Sequence, residues 1–201
     1  MNLPIYEVII DDNAEGLYAI ALVENPATEV SWLAFSKEQD KTPQSFKCSV
    51  IDEEEKRVLA VVARANFPFY RLIDGLEFYA MFSTETIKQM AQKFLKNGFQ
   101  GNVNIEHTNT YVDGVEMVQI FLKDTTKGIN PKGFEEIEDG SLFVEYKVEN
   151  EEIWQAIKQG IFTSISLEGM FNIKPTDKVY NPYKEIDSVE DLENYLNELN
   201  K

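Results

Sequence analysis

The segment IFTSISLEGMF, residues 161–171, carries Ser164, Ser166 and Glu168 at alternate positions. Read as a strand, it puts Phe162, Ser164, Ser166, Glu168 and Met170 on one side. Ile161, Thr163, Ile165, Leu167 and Phe171 fall on the other, because side chains alternate along extended backbone. The second side is apolar. The first has apolar ends and a polar centre, which suits the floor of a site. A serine hydroxyl becomes a useful nucleophile only when a neighbour takes its proton, and imidazole has a suitable pKa for that. The chain has a single histidine, His107, in NVNIEH. Any imidazole-assisted serine chemistry must use it. Ser164 and Ser166 are both candidate nucleophiles. Ser166 is followed by Leu167, Glu168 and Gly169. Glu168 faces the same way, about 6.6 Å along the strand, and Gly169 lets another backbone approach closely. Each residue also has a structural reading, as a half-exposed strand serine or a hydrogen-bonded, half-buried histidine. Alternation places His107 beside Val103 and Ile105 and by itself favours the structural reading.

Other chemistries have less support. Cys48 is the only cysteine, so an internal disulfide and a cysteine-based zinc cage are excluded. It lies in SFKCSVID with no histidine nearby in sequence, and reads as a small strand residue in a reducing, cytoplasmic setting. One histidine and no calcium-loop pattern argue against a metal, and no cofactor is expected. Walker A, G-x-G-x-x-G and G-x-S-x-G motifs are all missing. With 35 acidic residues, a pair of carboxylates carries little information. The net charge of −16 disfavours direct contact with nucleic-acid phosphate or anionic membrane. No apolar run reaches the roughly 20 residues of a membrane span, and MNLPIYEVIIDDN reads as a strand, not a secretory signal.

These side chains must be positioned by a predominantly β framework. Strands are expected at 4–11 and 16–23, joined as a hairpin through DNAE, and at 30–36 after NPATE. KEQDKTPQ, 37–44, reads as a polar loop. SFKCSVID and residues 56–65 form a second hairpin around an acidic turn, and Asp74-Gly75 turns the chain between two further strands. Over 83–98 the period changes. Ile87, Met90, Ala91, Phe94 and Leu95 mark an amphipathic helix, with Ser83 as N-cap and Gly98 just past its end. Strands follow at 102–107, 115–122 and 141–148, with a long loop at 123–140. A short helix at 150–160, capped by Asn150 and stopped by Gly160, leads into the serine segment. The fold class is therefore mostly β with inserted helices (α+β), and about ten strands suggest a closed or near-closed barrel. Three regions are expected: a β-barrel domain at 1–173, a Pro-containing linker at 174–186, and an acidic C-terminal helix at 187–201.

The ordered pieces RVLAVVARANFPFYR, EFYAMFSTETIKQMAQKFLKNG, VNIEH and EIWQAIKQGIFTSISLEGMF resemble the XkdF-like serine proteases of tailed phages, over about Lys56 to Phe171. These are grouped with the prohead (capsid maturation) proteases, whose fold is similar to the herpesvirus assemblin protease. The resemblance implies a barrel of that type and a serine endopeptidase. Its nucleophile would be Ser166, at the head of S-x-E-G, and its base His107, at the end of NIEH. The herpesvirus enzymes use a second histidine, which this chain lacks. Either an acid orients His107, Glu168 first or Glu145 in LFVEYKV, or no third residue does. Their arginine-containing oxyanion loop has no counterpart after Phe171, where the sequence reads NIKPTDK. The implied substrates are scaffold and capsid proteins, and the protease itself, inside an assembling prohead in the host cytoplasm. A homodimer is a further implied partner state. Two rival readings are a catalytically inactive β-barrel scaffold or structural prohead component, and an acidic module for a basic partner.

Overall fold

The structure is a computed structural model that describes residues 2–11, 16–24, 48–73 and 75–181. The expected strand at 30–36, the loop at 37–44, the DNAE turn and the helix at 187–201 lie outside the described residues. In chain order the elements are β1 (Leu3–Ile9), β2 (Gly16–Val23), β3 (Ser49–Asp52), β4 (Arg57–Ala63), β5 (Phe69–Ile73) and β6 (Leu76–Phe82). Then come α1 (Thr84–Lys96), β7 (Val103–Ile105), β8 (Val115–Leu122), β9 (Leu142–Val148), α2 (Glu151–Lys158), β10 (Ser164–Met170) and β11 (Asn172–Tyr180). The protein is mostly β with two helices among the described residues, as the sequence pattern predicts.

The strands pair into three sheets, ordered β11-β1-β6-β5, β10-β2-β7 and β3-β4-β9-β8. None of the three closes on itself, so the described pairings do not make the expected barrel. Their apolar faces share one core, which includes Val8, Ile20, Val62, Phe82, Val144 and Leu167, and both helices pack into it.

Local signals fixed the helices. Ser83 Oγ accepts from Thr86 N, and Gly98 takes the left-handed conformation just past α1. Ile87, Met90 and Phe94 are buried as the period requires, but Leu95 is exposed. Thr86 is buried instead, its hydroxyl donating to Val8 O at 3.0 Å. In α2, Asn150 Oδ1 accepts from Ile153 N at 3.1 Å.

Pairing over long range departs from the local reading. The β3–β4 and β5–β6 hairpins form. β1 and β2 do not pair. β1 lies antiparallel to β11 and parallel to β6, whereas β2 lies antiparallel to β10 and parallel to β7. Residues 174–180, expected as the start of a linker, belong to β11. The 123–140 loop is also tightly built. Lys123 is 2% exposed, and its ammonium donates to Phe134 O at 2.9 Å, Glu135 O at 2.9 Å and Ile137 O at 2.6 Å. Phe134 and Ile137 pack with Leu59, Val61 and Phe143 on the outer face of the third sheet, and Arg64 pairs with Glu138.

Candidate active site

The middle strand of the β10-β2-β7 sheet presents Ala19 and Ala21 between its two neighbours. Antiparallel register sets Ser164 opposite Val23, Ser166 opposite Ala21, and Glu168 opposite Ala19. Parallel register sets Asn104 of β7 beside Ala21 from the other side. Leu167 and Ile165 pair with Ile20 and Leu22 and face the core. The polar face predicted from alternation is thus real, but it is buried: Ser164 is 0% exposed, Ser166 3%, Glu168 8% and Asn104 1%. Ile161 to Thr163 precede the strand and do not extend it. A bulge separates Glu168 from Gly169. A Cβ on Gly169 would sit 2.2 Å from Phe171 Cε2 and 2.8 Å from Gly16 O, which explains the glycine.

His107 does not continue the alternation of Val103 and Ile105. β7 ends at Ile105, and both Glu106 (φ 50°) and His107 (φ 56°) adopt left-handed backbone. That conformation costs about 1–2 kcal/mol per non-glycine residue. Local bonds hold it: Glu106 N donates to Leu22 O at 3.0 Å, Thr108 N to Ile105 O at 3.0 Å, and Glu24 N to Glu106 Oε1 at 2.6 Å. Strained backbone held this firmly is characteristic of functional sites. The turn carries His107 away from the core face of Val103 and Ile105 and toward the face that bears Glu168.

There His107 Nδ1 lies 3.0 Å from Glu168 Oε1, and Asn104 Nδ2 donates to the same oxygen at 2.6 Å. Burial favours the neutral form of the Glu168 carboxyl. The hydrogen bonds from His107 and Asn104, and the attraction of His107, outweigh it and hold the group below the usual carboxylate range. An ionised Glu168 selects the imidazole tautomer with its proton on Nδ1 and leaves Nε2, which is buried, as the basic nitrogen. Ser166 sits two residues from Glu168 on the same face. Its Oγ is buried and has no hydrogen-bond partner among the described residues. A buried hydroxyl in that state costs about 1–3 kcal/mol and calls for a reason.

The structure therefore brings His107 and Glu168 into contact with Ser166 beside them, while the Ser166 hydroxyl is not hydrogen-bonded to His107. Glu145 lies elsewhere. It is on β9, in a different sheet, and accepts from Arg57 Nη1 at 2.6 Å. Cys48 is half-buried against the core, and desolvation raises its thiol pKa to about 12, which keeps it protonated and poorly reactive. Asn104 escaped the sequence reading, as did the Ala19–Ala21 shelf. The available signal was that Asn104 alternates with two core residues, and so faces the opposite side.

Residues 74–174 match the model of a family described as "Putative phage serine protease XkdF", a stretch of about half the chain that contains His107, Ser166, Glu168 and Asn104. No curated protein and no solved structure matches the chain.

Proposed function

The chain belongs to the family described as "Putative phage serine protease XkdF", and from that premise we propose that it is a serine endopeptidase with Ser166 as nucleophile, His107 as base and Glu168 as the acid that orients His107. The observation that carries this is the 3.0 Å contact of His107 Nδ1 with Glu168 Oε1, two residues from Ser166 on one buried strand face. In the reaction Ser166 Oγ attacks the scissile carbonyl as Nε2 takes its proton. Glu168 stabilises the imidazolium that forms. The proton then passes to the leaving amine, and water hydrolyses the acyl-enzyme by the same route. Ser166 is 3% exposed, so attack on a peptide requires that this face become accessible. The segment after Phe171 is strand β11, paired with β1, and does not form a loop like the oxyanion loop of the herpesvirus enzymes.

The substrates we propose are scaffold and capsid proteins, and the chain itself, cleaved within the assembling prohead in the host cytoplasm. An assemblin-like barrel, built from the three sheets around their common core, and a homodimer belong to the same proposal. The structural-component reading draws on one observation: the Ser166 hydroxyl and His107 are not hydrogen-bonded. Co-expression with the capsid and scaffold proteins of the same phage separates the two. The wild type should cleave one of them or itself, Ser166→Ala should abolish cleavage with folding intact, and Ser164→Ala should retain it. Cleavage that persists in Ser166→Ala refutes the assignment. A wild type that never cleaves favours the structural component.

A further inference from the structure

We propose that Asn104 is a positioning residue for the His107–Glu168 pair, an amide clamp that fixes the carboxylate against which the imidazole is oriented. The inference rests on the reading of His107 as the base. Glutamate has three rotatable side-chain bonds, and His107 stands on a turn outside regular structure. A second donor to the carboxylate restricts those bonds further. Asn104 supplies a third point from within β7, where it is 1% exposed and immobilised by burial. Its Nδ2 and His107 Nδ1 converge on one oxygen, Glu168 Oε1, at 2.6 and 3.0 Å. A carboxylate only accepts, so the amide nitrogen must be the end that faces it.

Two features mark this as a placed donor. Asn104 Oδ1 is buried and has no hydrogen-bond partner among the described residues. Leucine has nearly the same shape and would avoid that cost, so the amide is justified by what its nitrogen does. The donor is also neutral. Lysine or arginine here would compete with the imidazolium for the carboxylate, and aspartate would force two acids to share a proton. Asparagine steadies Glu168 and leaves its charge for His107.

The test uses the single histidine as a reporter. In the wild type, imidazole ¹⁵N spectra near neutral pH should show the Nδ1-protonated tautomer. Asn104→Leu should give a tautomer mixture, shift the pH profile of cleavage, and lower kcat by roughly 10–100-fold with KM little changed. A tautomer ratio and pH profile identical to the wild type would overturn the proposal. Should Asn104→Leu not fold, the wild type decides. The Asn104 side-chain amide protons should exchange slowly and their shifts should follow the titration of Glu168; fast exchange or no such dependence overturns the clamp. Ser166→Ala should remove cleavage and leave the imidazole spectrum unchanged, so failure of the protease reading and failure of the clamp give different results.

Discussion

Replacing Lys123 by methionine tests whether the 123–140 loop is held by one buried cation. Lys123 is 2% exposed, and all three ammonium protons go to backbone carbonyls. Methionine keeps an unbranched side chain of similar length, so the cavity is small. The desolvation cost of the ammonium disappears with the ammonium, which removes the largest opposing contribution. What remains is the fate of the three acceptors. Phe134 O still accepts from Ile137 N at 3.2 Å. Glu135 O and Ile137 O lose the Lys123 bond. Each buried group stripped of its partner costs about 1–3 kcal/mol, or about 2–6 kcal/mol for two. Glu135 O is in the part-buried contact and can recover some water, so the lower half of that range is expected, about 3 kcal/mol. In a chain of this size that lowers Tm by about 6–12 °C. Urea unfolding monitored by circular dichroism gives the value directly. The loss should persist in high salt, which screens the general repulsion of a chain of net charge −16 but not a buried contact. Hydrogen exchange should quicken first at 131–138. A Lys123→Met protein within about 1 kcal/mol of the wild type would refute the carbonyl accounting.

The depressed pKa of Glu168 means that its network stabilises the fold above the unfolded carboxyl pKa, and that this is lost as pH falls through the lower folded value. Urea midpoints should therefore fall more steeply with acidification in the wild type than in Glu168→Gln. Glu168→Asp keeps the charge yet should lose both the His107 and Asn104 bonds, and cleavage should fall about as far as in Glu168→Gln, whereas Glu145→Gln should retain it. Gly169→Ala forces a methyl against Phe171 and the Gly16 carbonyl and should destabilise by about 1–3 kcal/mol or more in thermal unfolding. Cys48, half-buried and with a thiol pKa of about 12, should react with a thiol reagent at mildly alkaline pH far more slowly in the folded protein than in urea.

What could be read from the sequence follows the range of the interactions. α1 was legible because its apolar period, its Ser83 cap and Gly98 all lie within one stretch of chain. The β3–β4 and β5–β6 hairpins were legible for the same reason. β1 and β2 look like a hairpin, yet β1 finds its antiparallel partner in β11 at the far end of the described chain. Nothing local encodes that choice. The packing of the 123–140 loop was not legible, because the partners of Lys123 are backbone carbonyls, which every sequence has. Alternation identified the Ser164–Ser166–Glu168 face correctly, since β10 is regular up to its bulge. It failed for His107, because two left-handed residues end the strand first. The pairing of His107 with Glu168 spans 61 positions and could be suggested only by resemblance.

The dimensions of the sheet explain why position 168 holds a glutamate and not an aspartate. β10 and β7 flank β2, so their backbones are about 9.5 Å apart at the usual strand spacing. Glu168 pairs with Ala19 and Asn104 with Ala21, which offsets them by two residues along β2, about 6.7 Å. The Cα atoms are then separated by about 11.5 Å along the diagonal. A glutamate carboxylate extends about 5 Å from its Cα and an asparagine amide about 3.7 Å, as their bond lengths dictate. Strand side chains stand out from the sheet, so the observed 2.6 Å hydrogen bond requires both to lean across β2, and the longer glutamate makes the greater part of the crossing. An aspartate is shorter by one methylene, more than a hydrogen bond can stretch. The crossing also needs a low middle strand. Ala19 and Ala21 provide it, since a branched side chain at either would stand in the path of Glu168 or Asn104. Glutamate, asparagine and the two alanines are thus one geometric solution, and His107 is brought to its end by a turn that costs backbone strain.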